Sequence, residues 1–122
     1  MPLSLKRLQR SFKYAMHGFV YVFKNEQNFQ IQLSIGFLVV LAVIFFKVQI
    51  WQAIILLMLI TLVLVLELIN TIFERIIDIL KPRIHSYVEI IKDIMAAAVL
   101  IASFGSTIIA LLIFMPYFLA LF

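Results

Sequence analysis

With 122 residues, 66% of them apolar, 13% charged and a mean hydropathy of +1.18, the chain is too short for two globular domains and too hydrophobic for a water-soluble one. The absence of cysteine excludes a disulfide framework, a thiolate nucleophile and a thiolate metal site. The net charge of +4 lies on short stretches that flank apolar runs, so it reads as membrane-orienting charge and not as a nucleic-acid surface, and an integral membrane protein of one domain, residues 1–122, is predicted.

The N-terminal stretch has no uninterrupted apolar core of signal-peptide type and no small-residue cleavage site, so it is expected to stay on the mature protein. Leu5, Leu8, Phe12, Met16 and Phe19 recur at helical spacing, with Lys6, Arg7, Arg10 and Lys13 on other sides. This pattern predicts an amphipathic helix lying on an anionic membrane surface. Residues 29–46 then carry no charge before Lys47, enough to cross about 30 Å of hydrocarbon. Trp51 marks an interface, and a second, longer helix is predicted over 54–80. Lys81, Pro82 and Arg83 interrupt it, a helix restarts near Ser86, and residues 94–122 form an uncharged third span with a kink or fraying near Pro116. Basic residues crowd the N-terminus and the 81–83 connection, whereas the connection after the first span has Lys47 alone. The positive-inside bias therefore predicts a cytoplasmic N-terminus and an external C-terminus.

The second span breaks the apolar pattern with Glu67, Asn70, Glu74 and Asp78. At about 100° per residue these four fall within a sector roughly 80° wide. A carboxylate at the centre of a bilayer costs on the order of 2.5–3.5 kcal/mol, so a helix keeps one only where it faces a partner, a cavity or a ligand. Helix-to-helix hydrogen bonding is the plainer explanation, but three acids exceed what such contacts need. The predicted orientation sets this stripe in the cytoplasmic half, at a depth similar to Glu26, Lys92 and Asp93.

Carboxylates meeting at that interface suit Mg²⁺, which prefers oxygen ligands and commonly bridges nucleotide phosphates; Glu26 and Glu74 are the natural pair. Phosphoryl transfer also needs a cation to hold developing phosphate charge and a group to deprotonate the acceptor hydroxyl. Lys92 can supply the first. Glu67, the deepest acid, can supply the second at the depth of a lipid hydroxyl. The glycines are Gly18, Gly36 and Gly105, so no GxxxxGK[ST] loop or GxGxxG turn is present, and a nucleotide would bind without a P-loop. His85 is a candidate phosphate contact, metal ligand or plain loop residue. Arg7 and Tyr14 are candidates to lean over the site, while Asp93 also reads as a plain charge partner of Lys92, and Arg75 and Asp78 read as solvated helix-end residues. A reading from another class is a small non-enzymatic oligomer, such as a channel whose aqueous path the same acids line.

The segment Glu67-Leu-Ile-Asn-Thr-Ile-Phe-Glu-Arg-Ile-Ile-Asp78 resembles the E-x-x-N-[ST]-x-x-E-x-x-x-D signature of the small bacterial integral-membrane lipid kinases, the diacylglycerol kinase and undecaprenol kinase family. His85, Lys92-Asp93 and Ala96-Ala97-Ala98-Val99-Leu100 resemble its second block, and Asn25-Glu26 precede the first span as in that family. The resemblance covers nearly the whole chain. It implies an all-α homotrimer of three-span subunits in the bacterial inner membrane, each with an N-terminal surface helix, and active sites shared between subunits at the cytoplasmic interface. It further implies transfer of phosphate from ATP to undecaprenol or diacylglycerol. Glu67 would be the catalytic base, Glu26 and Glu74 the carboxylates holding Mg²⁺–ATP, and Lys92 and Asp93 nucleotide contacts. Asn70 would organise the substrate site, with Tyr14 and His85 near ATP and Arg7 near lipid. Phe73 and Ala97 depart from the family's usual smaller or aliphatic residue and glycine, respectively.

Overall fold

The computed structural model describes residues 3–80 and 86–122, with Ser86 described in its backbone alone. Four helices follow one another: α1 (Leu5–Asn25), α2 (Gln27–Phe46), α3 (Ile50–Leu80) and α4 (Ser86–Leu119). The last three are long and apolar enough to cross a membrane, as the sequence predicts.

α1 begins at Ser4, whose Oγ accepts the Arg7 backbone N–H at 3.4 Å. A single extended residue, Glu26 (φ −116°, ψ 108°), separates α1 from α2. Its N–H donates to the Val22 carbonyl at 2.9 Å and its carbonyl accepts from Gln30 N–H at 3.2 Å, so the corner belongs to both helices. The remaining carbonyls at the end of α1 would be orphaned without help. Gln30 Nε2 reaches back from α2 to one of them, the Phe23 carbonyl, at 2.6 Å, and Asn25 Nδ2 adds a second donor to the Tyr21 carbonyl at 2.8 Å. Phe29, 1% exposed, packs edge-on against Phe19 and pins the corner from below. The helix of the first span therefore starts two residues before Phe29, with Gln27 and Asn28 in its first turn.

α2 closes on Lys47 in the left-handed conformation, and α3 follows after Val48 and Gln49. The backbone N–H of Gln49 donates to Gln52 Oε1 at 3.2 Å, and Trp51 Nε1 donates to Gln49 Oε1. Trp51 thus stands inside the first turn of α3, which begins before residue 54. The 31 residues of α3 rise about 46 Å, well beyond the roughly 30 Å of a bilayer core. About 20 residues suffice to cross that core, and counted from Trp51 they reach Asn70. Glu67 falls within that count, and Glu74 and Asp78 fall beyond it. α4 continues through Pro116 to Leu119; the proline costs the Leu112 carbonyl one partner in the final turn, where breaking the helix saves nothing.

α3 packs chiefly on α4 and α2, and α1 rests on α2. Val22 of α1, Phe29 of α2, Leu56, Val63 and Ile77 of α3, and Val88 and Ile113 of α4 form the buried apolar core. Gln32 Nε2 donates to Ser103 Oγ at 3.0 Å, and the Tyr117 hydroxyl donates to Gln52 Oε1, so α4 is also tied to α2 and α3 by polar contacts within the span. Gly36 lets α2 approach α3 closely: a Cβ there would lie 3.0 Å from Cγ2 of Ile60, a β-branched side chain with little rotamer freedom. Gly36→Leu is expected to lower stability by about 1–3 kcal/mol through overpacking. Gly18→Leu, where nothing lies within 4 Å, should cost little, and thermal unfolding in detergent micelles compares the two; equal melting temperatures would refute the close approach.

Candidate active site

The polar stripe of α3 coincides with its packed face. Glu67 and Thr71 are each 4% exposed, next to Val63 on the same face, and Thr71 Oγ1 donates to the Glu67 carbonyl at 3.0 Å. That hydroxyl closes the local backbone and leaves the Glu67 carboxylate uncommitted. Among the described residues it is met by no cation within ion-pair distance. A carboxylate withdrawn from water without a counter-charge is costly, so this position is not one that packing alone favours. One turn on, Asn70 and Glu74 are half-buried, and Asn70 Nδ2 donates to Glu74 Oε1 at 3.3 Å. Asp78 is exposed because α2 has already turned away at Glu26.

Glu26 reaches this end of the bundle from the α1–α2 corner. Its carboxylate accepts from Arg75 Nη2, the residue directly after Glu74. Arg75 also donates from Nε to the Tyr21 hydroxyl at 3.1 Å, and its Nη1 lies 3.8 Å from Asp78. Arg75 is therefore not the solvated helix-end residue that its position suggests; it ties α3 to the corner. A signal for this was present in the sequence, since Arg75 is the one cation between residues 48 and 80 and Glu26 borders an apolar span.

Lys92 and Asp93 are exposed on the second turn of α4, the helix that packs along α3. Arg7 and Tyr14 are exposed on α1, and the structure does not bring them to the acids of their own chain. At 1.5 Å per residue, Tyr14 lies about 18 Å and Arg7 about 29 Å along the helix from Glu26. His85 lies outside the described residues. Phe73 and Ala97 are both exposed, so neither departure alters the packed core of this chain.

Among the described residues, no three His, Asp or Glu side chains converge into a metal cage. A magnesium ion carried by a nucleotide does not require one: it is held by one or two protein carboxylates together with phosphates and water. Glu26 and Glu74, oxygen donors at one end of the bundle, fit that chemistry.

The sequence model of a family described as prokaryotic diacylglycerol kinase matches residues 13–114, which takes in the corner, the stripe and the start of α4. A diacylglycerol kinase of Synechocystis sp. is 32% identical over 112 residues, covering 91% of this chain and 64% of that protein. An undecaprenol kinase of Bacillus subtilis is 32% identical over 112 residues, covering 92% of this chain and 91% of that protein. The chain thus spans under two thirds of the Synechocystis protein and nearly all of the Bacillus one. An apolar three-span chain that carries its acids at one end of the bundle, and matches this family over most of its length, belongs to the prokaryotic diacylglycerol kinase family of lipid kinases.

Proposed function

We propose that the protein transfers the γ-phosphate of ATP to the hydroxyl of a membrane lipid alcohol, undecaprenol or diacylglycerol, at the cytoplasmic face of the bacterial inner membrane. The observation that carries this reading is Glu67, a carboxylate 4% exposed toward one end of an apolar candidate span; in this reading it sits at the hydrocarbon boundary, where a lipid hydroxyl resides and a soluble substrate does not. Glu67 accepts the hydroxyl proton as the lipid oxygen bonds to the γ-phosphorus. The bond from that phosphorus to the bridging oxygen breaks, and ADP leaves with the electron pair.

Asn70 holds Glu74 through its 3.3 Å hydrogen bond and borders the acceptor hydroxyl. Glu26 and Glu74 hold Mg²⁺, which when bound neutralises charge on the phosphates. Lys92, Asp93 and His85 contact the nucleotide from α4 and the segment before it. Because α1 carries Tyr14 and Arg7 away from the acids of its own chain, these two serve the site of a neighbouring copy, Tyr14 at ATP and Arg7 at the lipid headgroup. In this reading the protein is a homotrimer with shared sites, α1 lies on the membrane surface, and the many exposed apolar side chains of α2 and α4 meet lipid or another subunit. One relative is named a diacylglycerol kinase and the other an undecaprenol kinase, each 32% identical, so both alcohols stand as acceptors in this reading.

The purified protein, incubated with γ-labelled ATP and vesicles containing undecaprenol or diacylglycerol, is expected to place label in extractable lipid. Competition between the two alcohols identifies the acceptor. Ion flux without ATP, together with no labelled lipid from either alcohol, would instead favour a channel.

A further inference from the structure

Arg75 stands in a frame that suggests more than a structural ion pair. Its guanidinium is bound on one edge by Glu26, on another by the Tyr21 hydroxyl at 3.1 Å, and lies 5.8 Å from the centre of the Tyr21 ring. The Arg75 side chain is 40% exposed and that of Glu26 19%, so the pair sits at the surface of the acid-bearing end and not in the core. Asp78, at 3.8 Å and largely exposed, is a weaker second partner. Glu26 cannot serve Arg75 and a divalent cation together without setting two positive centres side by side. A nucleotide arriving with its cation resolves that conflict, because it brings one charge of each sign. Before the exchange, arginine pairs with carboxylate and the cation with phosphate; afterwards the cation pairs with carboxylate and arginine with phosphate. The planar fork of a guanidinium suits a phosphate as well as it suits a carboxylate. Tyr21, through ring and hydroxyl, keeps the guanidinium in place while its anion changes.

We propose that Arg75 is a nucleotide-phosphate contact that Glu26 masks in the resting protein, the two parting when the cation–nucleotide complex binds. This rests on the reading of Glu26 as a carboxylate for the nucleotide's cation. The test compares wild type, Arg75→Gln, Arg75→Lys and Glu26→Gln in detergent micelles, using Mn²⁺ alone followed by electron paramagnetic resonance, and Mg²⁺–ATP followed by equilibrium titration. Removing the competitor in Arg75→Gln should tighten Mn²⁺ binding about threefold or more, while loss of the phosphate contact weakens Mg²⁺–ATP about tenfold. Arg75→Lys keeps a cation without the fork and should fall between on both measurements, with helical content unchanged by circular dichroism. Shifts of opposite sign support the exchange; a merely structural Arg75 would move both affinities the same way or neither, and either result overturns it. If Glu26→Gln leaves Mn²⁺ affinity at the wild-type value, the role of Glu26 as cation ligand fails and the exchange with it. If Glu26→Gln abolishes Mn²⁺ binding while Arg75→Gln changes nothing, the exchange alone fails.

Discussion

Glu67→Gln should depress kcat about 100-fold or more while leaving Mg²⁺–ATP affinity near the wild-type value, the range that general-base catalysis supplies. The substitution preserves shape and polarity and removes only the ability to take a proton. Thr71 bonds to the Glu67 backbone carbonyl, not its carboxylate, so the local helix has no reason to change. Stability should hold or rise, because a neutral amide replaces a carboxylate that is 4% exposed and lacks a counter-charge among the described residues. Steady-state kinetics with saturating lipid, paired with nucleotide titration and thermal unfolding, reads all three effects. Near-normal turnover would leave Glu67 as a helix-packing residue, since glutamine sustains interhelical hydrogen bonds as well as glutamate does.

Glu26→Gln and Glu74→Gln should each weaken Mg²⁺–ATP binding about tenfold or more, comparable to the 10–100-fold losses that follow when even the groups supporting metal ligands are removed. The double variant should lose far less than the product of the two, because both residues act on one ion. The variants should part company in stability. Glu26→Gln gives up the charged partner of Arg75 at the α1–α2 corner and is expected to melt at a lower temperature without nucleotide. Glu74→Gln keeps an oxygen for Asn70 Nδ2 and should melt like wild type. Multiplicative losses in the binding cycle would assign the two carboxylates to separate roles.

The three spans are legible in the sequence because uncharged runs of bilayer length have few other uses, and the boundary errors have local causes. Gln27 and Asn28 are polar and precede the apolar run but are helical, since a corner of one residue leaves the first turn of α2 to them. Trp51 looks like an interface marker before a helix and instead lies within its first turn. The stripe of α3 is legible for a related reason: acids in an apolar helix are expensive, so their shared face announces itself. A lone cation in the span and an acid at its border hint at the link from Glu26 to Arg75 but do not fix the pairing, because it depends on the corner bringing together residues 49 positions apart. Nor does residue spacing reveal that a straight α1 carries Arg7 and Tyr14 away from the acids of their own chain; that follows only once the helix is continuous to Asn25.

The most direct measurement is the site at which the protein meets ATP. A photoreactive ATP analogue, cross-linked to the protein in lipid vesicles and mapped by mass spectrometry, should label residues 67–78 of α3 and 86–93 of α4. Labelling should require a divalent cation and be displaced by unmodified ATP. Specific labelling at the opposite end of the bundle, around Gln49, Gln52 and Tyr117, would contradict the assignment of phosphoryl transfer to the acid-bearing end.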